Sequence, residues 1–259
     1  MLAAAVESTA MVSDISIFAG FSPAAFEFLR GLCENNNSAW FKPRKAIYET
    51  KVVTPLRGLV VAVGVALDRA GLPLVGDPDR GLFRIYRDVR FSPDKRPYKT
   101  QAGAVLTRSG GKRDPGLLYL HVEPGASIVA AGFWYPEPDL LGRLRRAIFD
   151  GPDGFLAMAD GLAAAGYPIA SAERLSRPPR GFEAAKGTRA AEYIGWKSFT
   201  AHTALSDAEM QSPALVDRIV DFARAVLPLL EWGWAVVDNQ APTAVPIRAI
   251  SRPLPKPDF

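Results

Sequence analysis

Residues 118–135 read LYLHVEPGASIVAAGFWY, and this stretch decides the fold. Its first half alternates apolar side chains with polar or aromatic ones, which is the period of a strand with one buried face. A Pro-Gly pair after Glu123 predicts a turn, and the apolar run Ser127–Tyr135 predicts the returning strand. The stretch therefore predicts an antiparallel hairpin with one polar face that carries Tyr119, His121 and Glu123.

Helical periods flank this hairpin on both sides. A Ser-Pro start predicts a first helix over 22–34. A second helix is predicted from about Pro43 to a glycine stop at Gly71, with a bend at Thr54-Pro55 and an apolar stripe over 56–67. Downstream, amphipathic patterns predict helices over 139–148 and 215–229, with an edge segment over 197–205 before the last helix. Helices before and after a central antiparallel sheet predict an α+β fold, a single domain whose sheet is packed by amphipathic helices.

The two ends of the chain differ from the part between them. Residues 1–13 show no apolar period, so we predict a disordered N-terminus, followed by a single α+β domain over 14–239. Residues 240–259 contain five prolines and few large apolar side chains. Proline removes backbone donors from helices and inner strands, so this part is predicted to be an extended, proline-rich tail.

Composition limits the class of protein. The chain has 259 residues, of which 48% are hydrophobic and 22% are charged, as in an ordinary globular protein. No apolar run reaches the roughly 18 residues of a membrane-spanning helix, so we expect no membrane partner. The single cysteine, Cys33, falls on the apolar face of the first helix and is predicted to be a core residue in a reducing compartment. The expected location is the cytoplasm.

Positive charge is concentrated in residues 84–99, RIYRDVRFSPDKRPYK, which we call the basic segment. It holds six basic and two acidic residues, so its formal charge of +4 equals that of the whole chain. Alternation from Leu82 onward predicts a strand that places Arg87 inward. The residues predicted to project together from one face of the sheet are Arg84, Tyr86, Asp88 and Arg90.

Arginine forks and lysine ammonium groups bind phosphate and carboxylate, so this face predicts a site for an anionic small molecule. The candidate ligand-binding residues are Arg84, Tyr86, Asp88, Arg90, Tyr98, Lys99 and Trp134. His121 and Glu123 are candidates for acid–base catalysis, because a carboxylate on the same strand face can orient an imidazole for proton transfer.

Two other readings of the same residues stay open. The arginines could contact a nucleic-acid backbone or a partner protein, or they could form structural pairs with neighbouring acids. The chain has two histidines, one cysteine and no close-spaced ligand pair, so no metal site is predicted. Phosphate-cradling and dinucleotide-binding motifs are missing too, which leaves cofactor and reaction unassigned.

An ordered set of longer motifs resembles a known family. These motifs are FAGF at 18–21, NNNSAWF at 35–41, the basic segment with Thr100, YLHVEPG at 119–125, AGFWYPEP at 131–138 and RPPRGF at 177–182. Together they resemble the family termed domain of unknown function 2461, over roughly residues 17–238. The resemblance implies one α+β domain in the cytoplasm of mostly bacterial cells and provides no catalytic residues. The stretch after RPPRGF departs from the family pattern, because it lacks the charged, histidine-containing sequence expected there.

Overall fold

The structure of the protein is a computed structural model that describes residues 18–90 and 92–238. The predicted disordered N-terminus, 1–13, lies outside the described residues, as does the proline-rich tail 240–259. Phe91, in the middle of the basic segment, is outside them as well.

Along the chain, helices precede, interrupt and follow the strands of an antiparallel sheet, which confirms the predicted α+β fold. The helices are α1 (Pro23–Glu34), α2 (Ser38–Tyr48), α3 (Thr54–Arg69), α4 (Pro138–Asp150), α5 (Pro152–Ala164), α6 (Ala190–Ile194), α7 (Asp207–Met210) and α8 (Leu215–Asp238). The strands are β1 (Val75–Gly76), β2 (Ala102–Thr107), β3 (Leu117–Val122), β4 (Ser127–Phe133) and β5 (Phe199–Leu205). Within the described residues the sheet has the order β1-β2-β3-β4-β5.

Contacts between residues divide the chain into two units. The first unit holds the residues up to 114, residues 119–129 and residues 204–222. The second holds residues 115–118, residues 130–203 and those from 223 onward. Strands β3, β4 and β5 contribute residues to both units. The domain bounds 14–239 stay a prediction.

Helix α1 begins as predicted, with proline in its first turn. The edge-to-face contact of Phe21 with Phe26, at 6.4 Å between ring centroids, is the hydrophobic staple of this helix start. The prediction that Cys33 is a core residue is wrong, because its side chain is exposed. The buried stripe of α1 centres on Leu29 and Leu32, and Cys33 lies beside it in the last turn.

Helices α2 and α3 are joined without a break by a π-helical turn, Glu49–Val53. This turn lies at the predicted bend: the amide and the hydroxyl of Thr54 both donate to the carbonyl of Glu49, ahead of Pro55. The continuous helical stretch, Ser38–Arg69, is long and apolar enough to cross a membrane by length and composition alone. A core helix passes the same test, and α3 buries a full apolar stripe: Leu56, Leu59, Val60, Val63 and Leu67.

The prediction of a strand from Leu82 into the first half of the basic segment is wrong. Leu82 and Tyr86 form only isolated antiparallel bridges, to Ala104 and to Tyr98 respectively. Two features oppose a regular ladder: proline at positions 93 and 97 lacks a donor, and aspartates at 88 and 94 bind backbone amides two residues on. The face expected to carry Arg84, Tyr86, Asp88 and Arg90 is therefore a loop surface, and the proposed ligand face is not a continuous sheet face.

In the second unit, α4 packs against α5 and α6. Its interior contains an aromatic cluster in which Phe155 contacts Phe199 and Trp232, at 6.2 and 4.8 Å between ring centroids. Strand β5, predicted as an edge segment, is the last strand of the sheet. Fully buried phenylalanines of this kind fix the packing of the unit.

Candidate functional site

Strand β3 separates an apolar face from a polar one, as its alternating sequence predicts. The apolar side chains on one face are buried: Leu118, Leu120 and Val122. On the opposite face Tyr119, His121 and Glu123 follow one another at every second residue. The turn after Glu123 closes with a hydrogen bond from the Ala126 amide to the Glu123 carbonyl.

The side chains of Tyr119 and His121, on β3, and of Glu123, directly after it, form a continuous line of hydrogen bonds, the Tyr119–His121–Glu123 line. The hydroxyl of Tyr119 is 2.9 Å from Nδ1 of His121, and Nε2 of His121 is 2.9 Å from Oε2 of Glu123. Burial first, and then the charge of Glu123, hold the pKa of the Tyr119 phenol far above its ordinary value. An ionised carboxylate can only accept, so the neutral imidazole carries its proton on Nε2 and donates it to Glu123. Nδ1 then accepts from the Tyr119 hydroxyl, which keeps its own proton.

Glycine at position 103 makes room for this line. A Cβ atom at Gly103 of β2 would lie 2.9 Å from the hydroxyl of Tyr119 and 3.0 Å from its Cε2 atom. The Tyr119 ring thus lies directly over the backbone of the neighbouring strand. At the other end of the line, the hydroxyl of Thr100 lies 3.4 Å from Oε1 of Glu123, a long hydrogen bond.

Two lysines approach the ring that contacts Tyr119. Phe83 meets Tyr119 edge to face, with 6.0 Å between ring centroids. The ammonium groups of Lys99 and Lys112 lie 5.4 and 5.6 Å from the centroid of the Phe83 ring, within cation–π distance. Lys99 is buried, and burial lowers the pKa of Lys112. Positive charge therefore lies beside the aromatic end of the Tyr119–His121–Glu123 line.

Most arginines of the basic segment are paired with its own aspartates. Arg90 forms two hydrogen bonds with Asp88, at 2.9 and 2.7 Å. Asp94 accepts from Arg87 at 2.6 Å and from Arg96 at 2.7 Å. The Arg87 side chain is 11% exposed, which confirms that it points inward. These pairs match the structural reading that the sequence left open.

The remaining predicted ligand residues of this segment fall into two environments. Tyr98 is buried and stacks on Phe41 of α2 at 4.3 Å, and Tyr86 packs beside both rings while 49% exposed. Arg84 is exposed, and its charge helps to lower the pKa of Asp88, after the hydrogen bonds from Arg90. Lys99 alone among these residues reaches the ring beside the β3 line.

Trp134, a predicted ligand residue, belongs to the second unit. Its ring meets that of Tyr135 edge to face, with 5.0 Å between centroids. Tyr135 has a positive φ of 39° and donates to Glu173, which also pairs with Lys197. Hydrogen bonds from Lys197 and Tyr135 hold the pKa of the Glu173 carboxyl below its usual range.

A shallow cavity of about 640 Å³ lies along α3 and β1 in the first unit, lined in part by Val61, Val65 and Val75. None of the predicted site residues lines it. Within residues 18–90 and 92–238, no group of three or more histidine, cysteine, aspartate or glutamate side chains is placed to hold a metal ion. The second histidine of the chain, His202, is exposed.

Sequence reasoning missed Phe83, Gly103 and Lys112. Phe83 follows Leu82 in the predicted strand that does not form, and Lys112 lies in the loop between β2 and β3, where no local pattern marks it. Gly103 carries no pattern of its own, although a glycine inside a strand commonly marks a close approach by another group. Tyr119 was noted beside His121, but its hydrogen bond to the ring was not predicted.

A family model described as conserved hypothetical protein (DUF2461) matches residues 24–232. The chain belongs to the DUF2461 family. Neither a curated protein nor a solved structure matches it. The family match covers the hairpin that carries the Tyr119–His121–Glu123 line as well as the basic segment. It confirms the resemblance drawn from the motifs.

Proposed function

We propose that this DUF2461 protein binds a small phosphorylated or carboxylated molecule beside the polar face of β3, where His121 and Glu123 perform acid–base chemistry. The observation that carries the proposal is the line of hydrogen bonds from Tyr119 through His121 to Glu123. A carboxylate that holds an imidazole in one tautomer is a recurrent arrangement for proton transfer. The cytoplasm stays the proposed location.

The charge around this line favours an anion as the ligand. Lys99 and Lys112 both approach Phe83, which contacts Tyr119. Lys112 is exposed, so its ammonium can contact an incoming anion, and partial desolvation lowers its pKa. A phosphate or carboxylate group that contacts Lys112 would compensate this loss of hydration.

The second hypothesis, binding of a nucleic-acid backbone by the basic segment, has less support. Asp88 neutralises Arg90, and Asp94 is shared by Arg87 and Arg96. A surface whose guanidinium groups already bind carboxylates offers fewer free charges to phosphates. We therefore place the ligand at Lys112 and the β3 face, and treat nucleic-acid binding as an alternative outcome of the test.

The test measures stabilisation by anions. Sulfate, inorganic phosphate and simple carboxylates should raise the melting temperature of the wild-type protein by mass action. Lys112→Ala should weaken the affinity about tenfold or more, because a hydrogen bond to a charged group contributes about 1.5–3 kcal/mol. The matched control is Lys51→Ala, which removes an exposed lysine from the π-helical turn and should leave the affinity unchanged.

Two outcomes would contradict the proposal. One is an equal loss of affinity in the Lys112 and Lys51 variants, which would indicate nonspecific attraction to net charge. The other is binding of a mixed-sequence oligonucleotide that outcompetes the small anions and falls steeply with salt. That result would favour the nucleic-acid hypothesis instead.

A further inference from the structure

His121 has no ring nitrogen left for a ligand. Nδ1 accepts from the Tyr119 hydroxyl, and Nε2 donates to Glu123, both at 2.9 Å. Glu123, in contrast, uses only one carboxylate oxygen for the imidazole. Its second oxygen, Oε1, has a long contact of 3.4 Å with the Thr100 hydroxyl. The Glu123 side chain is 35% exposed and that of His121 only 15%, so solvent and ligands reach the carboxylate first.

We propose that Glu123, rather than His121, is the side chain that exchanges a proton with the bound anion. His121 lies behind it and stays neutral, and His121 and Tyr119 are positioning residues that hold the carboxylate through their hydrogen bonds. This inference rests on the proposed function, because it assigns roles within the same site. It goes further by naming the atom, Oε1 of Glu123, at which the proton enters and leaves.

The proton balance follows from the hydrogen bonds. Without a ligand, neutral His121 and ionised Glu123 together carry one negative charge. An anion beside this charge is repelled, so its binding draws one proton from solvent or from the ligand onto Oε1 of Glu123. Glu123 then becomes a neutral carboxylic acid, and His121 stays neutral with its proton on Nε2, which still donates to Oε2. The Tyr119 hydroxyl keeps donating to Nδ1, so no heavy atom has to move.

The charged groups around the ring come from three parts of the first unit. Tyr119 and Glu123 lie on β3 itself, and Lys99 precedes β2. Lys112 comes from the loop between β2 and β3. Both lysines lie near Phe83 at the Tyr119 end of the line, where they attract an anion, while the ionised carboxylate at the other end repels it. Uptake of a proton by Glu123 removes this repulsion.

The first experiment determines the tautomer without any ligand. The chain has two histidines, so long-range ¹⁵N NMR spectra of the labelled protein contain His121 and His202 alone, and His202→Gln assigns them. We expect neutral His121 to carry its proton on Nε2. Tyr119→Phe should shift the ¹⁵N resonance of Nδ1, because this nitrogen loses its hydrogen-bond donor, and leave the spectrum of exposed His202 unchanged. A proton on Nδ1 in the wild-type protein would overturn the role given to Tyr119.

The second experiment measures sulfate affinity as a function of pH, because sulfate keeps its charge across the neutral range. If binding takes up one proton, the affinity of the wild-type protein should fall about tenfold per pH unit once the pair is deprotonated. Glu123→Gln should bind sulfate with little pH dependence, whereas Glu34→Gln, an exposed acid at the end of α1, should keep the wild-type profile.

The outcomes separate this inference from the proposed function. Sulfate binding without pH dependence in the wild-type protein contradicts proton exchange and leaves the anion site in place. A pH dependence that persists in Glu123→Gln and disappears in His121→Gln assigns the exchange to the histidine and overturns the role of Glu123. Failure of the wild-type protein to bind sulfate, phosphate or carboxylates at any pH contradicts the proposed function, and this inference with it.

Discussion

Two polar regions of the first unit use their charges in opposite ways. The basic segment, residues 84–99, satisfies most of its guanidinium groups internally, through Asp88 and Asp94. The side chains on the polar face of β3 instead form a line of hydrogen bonds that ends at the partly exposed carboxylate of Glu123. At the other end of this line, Lys99 and Lys112 approach Phe83. The comparison teaches that a high local charge in a sequence does not locate a site, because partners within the same segment can neutralise it.

The largest loss of stability that we expect comes from removing the contact of Tyr98, in the basic segment, with Phe41 of α2. Phe41 is 2% exposed and stacks on Tyr98, so Phe41→Ala should destabilise the protein by about 3–5 kcal/mol. Denaturant unfolding measures this loss. Ile47→Ala, on the same helix and 45% exposed, serves as the control and should cost far less. Equal losses would show that the segment is not held through Tyr98.

The next effect tests the polar face of β3. Gly103→Ala places a methyl group 2.9 Å from the Tyr119 hydroxyl, and we expect a cost of about 1–3 kcal/mol together with loss of the Tyr119–His121 hydrogen bond. Unfolding curves and the ¹⁵N resonance of His121 Nδ1 report the two changes separately. Gly58→Ala is the control, because a Cβ at this helical glycine meets nothing within 4 Å. An unchanged Nδ1 resonance in Gly103→Ala would contradict the close fit.

A smaller effect concerns acid stability and belongs to the basic segment alone. Hydrogen bonds from Arg90 lower the pKa of Asp88 from its usual value to about 2. Hydrogen bonds from Arg96, followed by one from Arg87, hold the pKa of Asp94 far below its usual range. When the pKa of a carboxyl is lower in the folded than in the unfolded state, the ionised carboxyl stabilises the folded state at pH values above its unfolded pKa, which is about 4. This stabilisation is lost as the pH falls through the folded pKa.

The stability of the wild-type protein should therefore fall as the pH decreases from about 4 toward 2. Asp94→Asn should flatten this dependence more than Asp88→Asn, because Asp94 binds two arginines and Asp88 binds one. Denaturation midpoints measured across this pH range give the comparison. Identical slopes in both variants and the wild type would show that these pairs contribute nothing measurable.

The sequence predicted the α+β class and the β3–β4 hairpin because alternation and a Pro-Gly turn are local signals. It missed β2, whose residues Ala102–Thr107 are all buried and so show no alternation. It also assigned a strand to part of the basic segment, where side chains of Asp88 and Asp94 bind the backbone instead. Local patterns cannot show which of two competing sets of hydrogen bonds prevails.

The site was predictable in part for the same reason. Placing His121 and Glu123 on one face needs only the period of a strand, and the structure adds the 2.9 Å contact between them. The approach of Lys112 to Phe83 depends on how a loop folds back, which no local pattern specifies. Whether these residues form a ligand site stays a prediction.

The smallest effect is expected where the sequence shows the most charge. Arg84 and Arg90 are both exposed, and Arg90 is held by Asp88, so the double variant Arg84→Ala with Arg90→Ala should change the melting temperature by no more than about a few degrees. It should also retain the sulfate affinity that Lys112→Ala weakens, because Asp88 already neutralises Arg90 and neither arginine belongs to the site placed at Lys112. Calorimetry of both variants at one pH measures the difference. If the arginine variant lost binding as completely as the lysine variant, the two regions would form one site, and the contrast between them would be wrong.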